Sequence, residues 1–205
     1  GTQINGLTKF IINVSTFIMN YWYVGLLIIV LTVFVISLLY KHVKAFRASV
    51  QIFLMHLPVI KDVIIYNELT IFSKTFASLL RNNVFITDSM DILSKITNNE
   101  IYKAILYKTI QNIVKGEKIS EAFKDHWAVP DVAYYMIVTG ESTGDLAEMM
   151  QKVSEYYQGQ HKSIVNSLKA FLEPVMIAFL AVVVGGIIIA VIMPMFGMYE
   201  QIQNS

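Results

Sequence analysis

Two long apolar stretches lie near the two ends of the chain, and the segment between them contains both apolar and polar residues. The first stretch, residues 21–40, is almost wholly apolar, and the second, residues 174–199, contains 26 residues without a charge. A helix needs about 20 apolar residues to cross the ~30 Å hydrocarbon layer of a bilayer. Core helices of a soluble protein are the alternative, but they rarely run past ~20 residues without a charged side chain. We therefore predict transmembrane helices over residues 21–40 and 171–199.

The segment between these stretches has a helical period throughout. Its clearest series steps by 4, 3, 4 and 4 residues and begins a few residues after Pro58, which places the apolar side chains on one face of a helix. The members of this series are Ile65, Leu69, Phe72, Phe76 and Leu80. No part of the segment shows the sustained period-two alternation of a β-strand. The fold class that follows is all-α: a membrane protein with two transmembrane helices flanking a bundle of about six helices.

Capping residues give the boundaries of the other predicted helices. Side chains that accept hydrogen bonds from the first amides of a helix favour its start, and glycine favours its end. We predict that Thr87 or Asp88 caps a second helix, which carries Met90, Leu93 and Ile96, and that Asn98 or Asn99 opens a third, which ends at Gly116 and turns inward Ile101, Ile105, Leu106, Ile110 and Ile113. A short fourth helix over residues 121–125 is capped by Ser120, and a fifth has Pro130 in its first turn and ends near Gly140. Thr143 caps the sixth, whose apolar side carries Leu146, Met149, Met150, Val153, Tyr156 and Tyr157. The sixth helix is expected to continue through Ile164 and Leu168 into the second apolar stretch.

The basic residues predict the orientation in the membrane. Of 16 Lys and Arg residues, 15 lie between residues 41 and 170. Cytoplasmic segments next to membrane spans carry such an excess of positive charge. We therefore expect residues 41–170 to form a cytoplasmic bundle, and residues 1–20 and 200–205 to lie on the other side of the membrane.

Composition removes several kinds of chemistry. The chain has no Cys, which excludes disulfides and thiolate catalysis, and its four His residues are never three or four positions apart, as a helical metal pair requires. Residues 41–170 hold 15 basic and 13 acidic side chains, a balance unlike that of a nucleic-acid-binding surface. A P-loop sequence is also lacking. We expect no cofactor and no nucleic-acid partner.

Residues 140–144, Gly-Glu-Ser-Thr-Gly, match the G-x-S-x-G pattern of serine-hydrolase nucleophile elbows. That elbow needs a strand before the serine and a histidine after it in the chain. Here the preceding residues have helical spacing, and only His161 follows. We interpret the motif instead as a joint between two helices, in which Gly140 ends one helix and Thr143 caps the next.

Carboxylates near this joint and at the second apolar stretch are the remaining candidates for chemistry. Glu141, Asp145 and Glu148 could offer oxygen ligands to calcium, although the exposed start of a helix explains them more simply. Glu173 stands directly before Pro174 at the edge of the second apolar stretch. A charge at that place either has a function or reaches the membrane–water interface, and the sequence does not separate the two.

Several motifs, taken together and in order, resemble the F-type inner-membrane platform proteins of bacterial type II secretion and type IV pilus machines. They are "FSKTFASLLRNNVFITDSMDIL" (72–93), "IVKGEKISEAF" (113–123), "GESTGDL" (140–146), "LEPVMI" (172–177) and "VIMPMF" (191–196). Asn83 departs from the pattern, since a glycine is common near that position. The residues that carry the resemblance are Gly116, Ser120, Gly140, Glu141, Thr143, Gly144, Glu173, Pro174 and Pro194.

The resemblance implies a non-enzymatic platform in the bacterial inner membrane, with several partners. These are a cytoplasmic hexameric assembly ATPase, the transmembrane helices of pilin or pseudopilin subunits, other inner-membrane assembly proteins, further copies of the chain and the lipid bilayer. Members of the family usually carry two helical domains and three spans, and this sequence resembles the second domain with the last two spans. A subunit of a transporter or channel is the competing function. A membrane-bound enzyme is a third, for which no convincing set of catalytic residues is present.

Overall fold

The computed structural model describes the backbone of residues 6–203 and the side chains of residues 19–189 and 192. Over that described range every regular element is a helix, which confirms the all-α prediction. The elements are α1 (Gly6–His42), α2 (Lys44–Leu54), α3 (Ile60–Arg81), α4 (Ile86–Ile96), α5 (Glu100–Val114), a 3₁₀ turn η1 (Ile119–Ala122), α6 (Asp131–Thr143) and α7 (Leu146–Gln203).

Contacts divide the chain into two units. The first comprises Gly1–Phe53 with Asn99–Ile101, and the second comprises Leu54–Asn98 with Tyr102–Ser205. In the first unit, residues Met19–His42 of α1 form a helix with a mean hydropathy of 2.7 and with all its side chains exposed, as expected of a span that faces lipid.

Helix α2, at the end of the first unit, was not anticipated from the sequence. Val43 links α2 to α1, since its N–H donates to the Leu39 carbonyl at 2.9 Å and its carbonyl accepts the Arg47 N–H at 3.1 Å. In the same unit, the Arg47 guanidinium forms an ion pair with Glu100, and the Glu100 N–H donates to the Gln51 side-chain oxygen at 2.8 Å. Polar contacts thus fasten α2 to the start of α5.

Helices α3 and α7 form the centre of the second unit and run antiparallel. The rings of Tyr66 and Tyr157 lie 5.4 Å apart near one end of the pair, and the Arg81 charge acts on Glu148 near the other. The other elements close the core around them. Its most deeply buried large side chains are Met55, Leu69, Phe76, Met90, Phe123, Ile137, Met150 and Val153.

Helix α7 runs without interruption from the bundle into the second apolar stretch, as predicted. Its half-buried and buried positions recur every three or four residues as far as Val165, and every side chain from 166 to 184 is exposed. The apolar part has a mean hydropathy of 2.5. One helix therefore belongs both to the bundle and to the candidate membrane span.

Several predicted helix boundaries are wrong. Phe85 rather than Thr87 or Asp88 precedes α4, and no side chain caps the helix, because Phe85 has no side-chain oxygen and the Ser89 N–H donates to its carbonyl at 2.9 Å. The prediction of Asn99 as a cap is confirmed, since its side-chain oxygen accepts the Ile101 N–H at 3.0 Å. The short fourth helix is the 3₁₀ turn η1.

The remaining differences are small. Pro130 precedes α6 by one residue instead of lying in its first turn, because its ψ of 148° is extended. Some side chains assigned to the core are half-buried or exposed, because their helices present more than one face to solvent. These are Leu80, Ile96, Ile110, Ile113, Met149 and Tyr156.

Candidate functional site at the joint between α6 and α7

The Gly-Glu-Ser-Thr-Gly motif forms the last turn of α6 and the residue that ends it. Helix α6 continues through Thr143, and Gly144 adopts φ +79°, ψ 0°, the left-handed conformation that glycine accepts without steric cost. The prediction that Gly140 ends the helix is therefore wrong by one turn. The predicted cap at Thr143 is met only in part, because its hydroxyl donates back to the Thr139 carbonyl at 2.9 Å and accepts the Asp145 N–H, just before α7, at 3.4 Å.

Gly140 has a packing role instead. It is buried, and a Cβ atom added to it would lie 2.9 Å from the Leu146 Cα and 3.0 Å from the Met149 Cβ. Both distances are shorter than ordinary van der Waals contact. The absence of a side chain at this position lets the first turn of α7 pack directly on the last turn of α6.

Glu141 joins the α6 end to η1. Its carboxylate accepts the Ser120 hydroxyl at 2.6 Å, the Ile119 N–H at 2.6 Å and the Ser120 N–H at 3.3 Å. Hydrogen bonds to a charged acceptor are about twice as strong as neutral ones. Ser120 is thus a buried partner of Glu141 and not the helix cap that the sequence predicted.

Gly116 leads the chain into this contact. It ends α5 with φ +77°, while its own N–H donates to the Ile113 carbonyl at 3.0 Å and the Glu117 N–H donates to the Asn112 carbonyl at 2.8 Å. These two bonds define a Schellman motif, which confirms the predicted stop. Two sequence motifs more than 20 residues apart therefore form one structural site.

The geometry around Ser142 differs from that of a nucleophile elbow. Ser142 lies within α6, is exposed, and donates its hydroxyl to the Thr139 carbonyl at 2.9 Å. No strand precedes it over residues 6–203. The G-x-S-x-G spacing is explained here by close packing at its first glycine and by helix termination at its second.

The acidic residues near the joint do not converge. Glu141 faces η1, while Glu148 forms an ion pair with Lys152 at 2.7 Å, and this neighbour lowers the pKa of Glu148. Within the described residues there is no group of three His, Asp or Glu side chains placed to hold a metal. Glu173 and Pro174 lie exposed within α7, and the side chain of Pro194 lies outside the described residues.

Sequence reasoning missed a second polar feature, a small cleft between α3, α4 and α5. Glu68 lies in it among apolar side chains and accepts the Thr97 hydroxyl at 2.7 Å. Burial raises the pKa of Glu68, and the Thr97 hydrogen bond partly opposes that rise. Its position between Ile65 and Leu69 in the apolar series was the available signal.

Comparison with known proteins shows which family this region of the chain resembles. The family model described as "Type II secretion system (T2SS), protein F" matches residues 72–194, which is 123 of 205 residues and includes the whole joint. The chain is 26% identical over 196 residues to the type IV pilus assembly protein PilC of Pseudomonas aeruginosa, covering 96% of this chain and 52% of that protein. It is 29% identical to the PilC protein of Thermus thermophilus, covering 96% and 48% of the two chains. It is 24% identical to the type II secretion system protein F of Vibrio cholerae, covering 97% and 48%. The chain thus spans about half the length of the curated relatives it matches.

Proposed function

The chain belongs to the type II secretion system protein F family, and from that premise we propose that it is a non-enzymatic platform of the bacterial inner membrane. Its relatives are named for type IV pilus assembly and for type II secretion. In the proposed role the bundle faces the cytoplasm and receives motion from an assembly ATPase. The membrane spans pass that motion to pilin or pseudopilin subunits during their insertion.

The observation that carries this proposal is the continuity of α7. Packed helices move as rigid units, and a helix shared by the bundle and the span moves with both. The joint supports the same role, because Gly140 lets the start of α7 pack closely on α6 and Glu141 ties that end of α6 to η1. A displacement imposed on the bundle is then transmitted along α7 and not absorbed at its base.

The test is an insertion into α7 beyond the bundle. Side chains up to Val165 still pack on the bundle, so the insertion belongs between Leu168 and Lys169. Seven residues of Gly and Ser would replace the rigid connection by a random coil, whereas seven Ala-rich residues add about two helical turns and keep it rigid. We expect the Gly–Ser variant to insert and to co-purify with the ATPase but to fail in pilus or pseudopilus assembly, while the Ala-rich variant retains assembly. Normal assembly by the Gly–Ser variant would refute the rigid-helix mechanism.

The orientation is tested separately. The chain has no Cys, so single cysteines at Lys115 and Ser205 report without background. In spheroplasts an impermeant thiol reagent should label the Ser205→Cys variant and not the Lys115→Cys variant. The reverse pattern would place the bundle outside the cytoplasm and end the proposed role.

A transporter or channel subunit is the competing function. The one charged residue between 170 and 199 is Glu173, which gives two spans little polar surface for an ion path. Ion flux through liposomes that contain the purified chain would favour this alternative. Co-purification with an ATPase, without such flux, would favour the platform.

A further inference from the structure

The bundle ends close to the level at which α7 enters the bilayer. The last position of α7 that packs on the bundle is Val165, and the charge-free run begins after Glu173. Those eight residues span about 12 Å at 1.5 Å per residue. The headgroup region on each side of a bilayer occupies roughly 5–8 Å of such a distance. The end of the bundle is thus within side-chain reach of the membrane surface.

The residues at this end are identified by the antiparallel packing of α3 and α7. Tyr66 and Tyr157 are in contact, and counting six residues from each toward the membrane places Ile60 level with Ser163. Trp127 belongs to the same end, because its ring lies 4.9 Å from that of His56, in the turn before α3. We call the surface formed by Val59, Ile60, Lys61, Trp127 and Lys162 the basal patch.

The basal patch combines exposed apolar and basic side chains. Val59, Ile60 and Trp127 are 44%, 40% and 42% exposed, although all three are large and hydrophobic. Lys61 and Lys162, at the same level of the bundle, are also exposed, and Lys169 is exposed in the gap between the bundle and the apolar run. Amphipathic tryptophan and long basic side chains are typical of membrane–water interfaces.

Four carboxylates at or near the same end oppose this positive charge in part, and two of them are the exposed Asp125 and Glu173. Asp62 and Asp131 lie in the first turns of α3 and α6. The amide groups at a helix N-terminus carry a partial positive charge that offsets a carboxylate there. Lys61 and Lys162 therefore remain as positive charges that this end presents to a bilayer, while Glu173 stands one helical turn beyond Lys169.

We propose that the basal patch rests on the bilayer surface, with Trp127 at the headgroup level and Lys61 and Lys162 against anionic phospholipid headgroups. Its occupant is lipid because α7 leads from this end of the bundle directly into the charge-free run, about 12 Å beyond Val165. The bundle is then held to the membrane by surface contact as well as by its helical connections. This contact is independent of any ATPase or pilin partner.

Tryptophan fluorescence tests the proposal directly, because the chain has only two tryptophans, Trp22 and Trp127. In the Trp22→Phe variant of the full chain, Trp127 is the sole reporter. The variant is reconstituted into nanodiscs of phosphatidylcholine and phosphatidylglycerol in equal parts, with or without a nitroxide-labelled headgroup. We expect the labelled lipid to quench most of the Trp127 emission, and aqueous iodide to quench little of it.

A matched control moves the reporter to the other end of the bundle. Phe85 is 78% exposed, and it lies beyond the end of α3 that is remote from Ile60. In the variant Trp22→Phe, Trp127→Phe, Phe85→Trp, the reporter should escape the nitroxide and be quenched by iodide. Charge removal by Lys61→Gln or Lys162→Gln should lower the ratio of docked to undocked bundle about fivefold per lysine at an anionic surface.

Three results would overturn the proposal. The first is equal quenching of Trp127 and the Phe85→Trp reporter by headgroup nitroxide. The second is quenching of Trp127 that is unchanged by both lysine substitutions and by omission of phosphatidylglycerol, since the anionic contact would then be absent. The third is protection of Trp127 that disappears when the protein is diluted in lipid, which would assign the patch to a second copy of the chain. Unchanged circular dichroism in each variant excludes unfolding as the cause.

Discussion

Replacing Gly140 by Ala isolates the contribution of close helix packing at the joint. The new Cβ would lie 2.9–3.1 Å from atoms of Leu146 and Met149, so α6 and α7 must separate by several tenths of an ångström. Overpacking of this kind costs about 1–3 kcal/mol in the free energy of unfolding. Alanine also favours the helix over glycine by about 0.8–1.0 kcal/mol. The expected net change is a loss of about 0–2 kcal/mol.

Gly159→Ala is the matched control for this prediction. Gly159 lies within α7, is exposed, and has no atom within 4 Å of an added Cβ. Only the propensity gain applies there, so this variant should be more stable by about 0.8–1.0 kcal/mol. The difference between the two variants, about 1–3 kcal/mol, then measures the packing effect alone.

The assay is urea unfolding of the full chain in nanodiscs, followed by Trp127 fluorescence in the Trp22→Phe background. Equal m-values for both variants would show that the comparison concerns the same transition. If Gly140→Ala stabilises the protein as much as Gly159→Ala does, the two helices do not approach at Gly140, and the packing role of the first motif glycine is refuted.

Three further predictions use the same assay. Glu141→Gln and Ser120→Ala should each destabilise the bundle by about 1–3 kcal/mol. A double-mutant cycle should show a coupling energy of at least about 0.5 kcal/mol between them, and additive effects would mean that the two side chains do not interact. Asn83 has φ +56°, so Asn83→Gly should stabilise by a few tenths to about 1 kcal/mol, whereas Asn82→Gly, at φ −90°, should destabilise; the same sign for both would contradict the left-handed conformation at Asn83. Burial raises the pKa of Glu68 in the folded state. The free energy of unfolding should therefore fall as the pH rises through that folded-state pKa, and Glu68→Gln should remove this part of its pH dependence. An unchanged profile would show that the carboxyl is solvated.

The sequence predicted those features of the fold that follow from repeated spacing. The series from Ile65 to Phe76 defined α3, and the absence of a break after Leu146 predicted that α7 reaches the second apolar stretch; both are confirmed. Such patterns are reliable because many residues support each one, so a single exception such as half-buried Leu80 does not change the result.

Single-residue inferences were less reliable, and the reason is physical. A glycine near a helix end serves either to permit a left-handed turn or to permit close packing, and Gly144 and Gly140 have one role each. Hydroxyl side chains also have alternatives to capping, as Thr143 shows by bonding within its own helix. The bond from Ser120 to Glu141 joins residues 21 positions apart and depends on how the chain between them folds, which local spacing does not encode.

The family resemblance added what local physics could not. It marked Ser120 and Glu141 before any contact between them was known, and the structure joins these two side chains by a hydrogen bond of 2.6 Å. It also identified Asn83 as a position where glycine is common, and its positive φ gives the reason. The resemblance did not predict α2, which resembles no motif and follows the first apolar stretch directly.

Pro174 makes α7 mechanically unequal along its length. Proline has no N–H to donate to the carbonyl of Ala170, so the helix is easier to bend at this point than elsewhere. Rotation about the helix axis differs from bending, because the backbone remains helical through Pro174. The directions in which side chains point before and after Pro174 are therefore fixed relative to each other. Successive residues differ in azimuth by about 100°, so turning the bundle by that angle would present the next residue of the span to a neighbour in the membrane. At Pro174 the candidate span can therefore tilt against the bundle while the continuous helix keeps the two in rotational register.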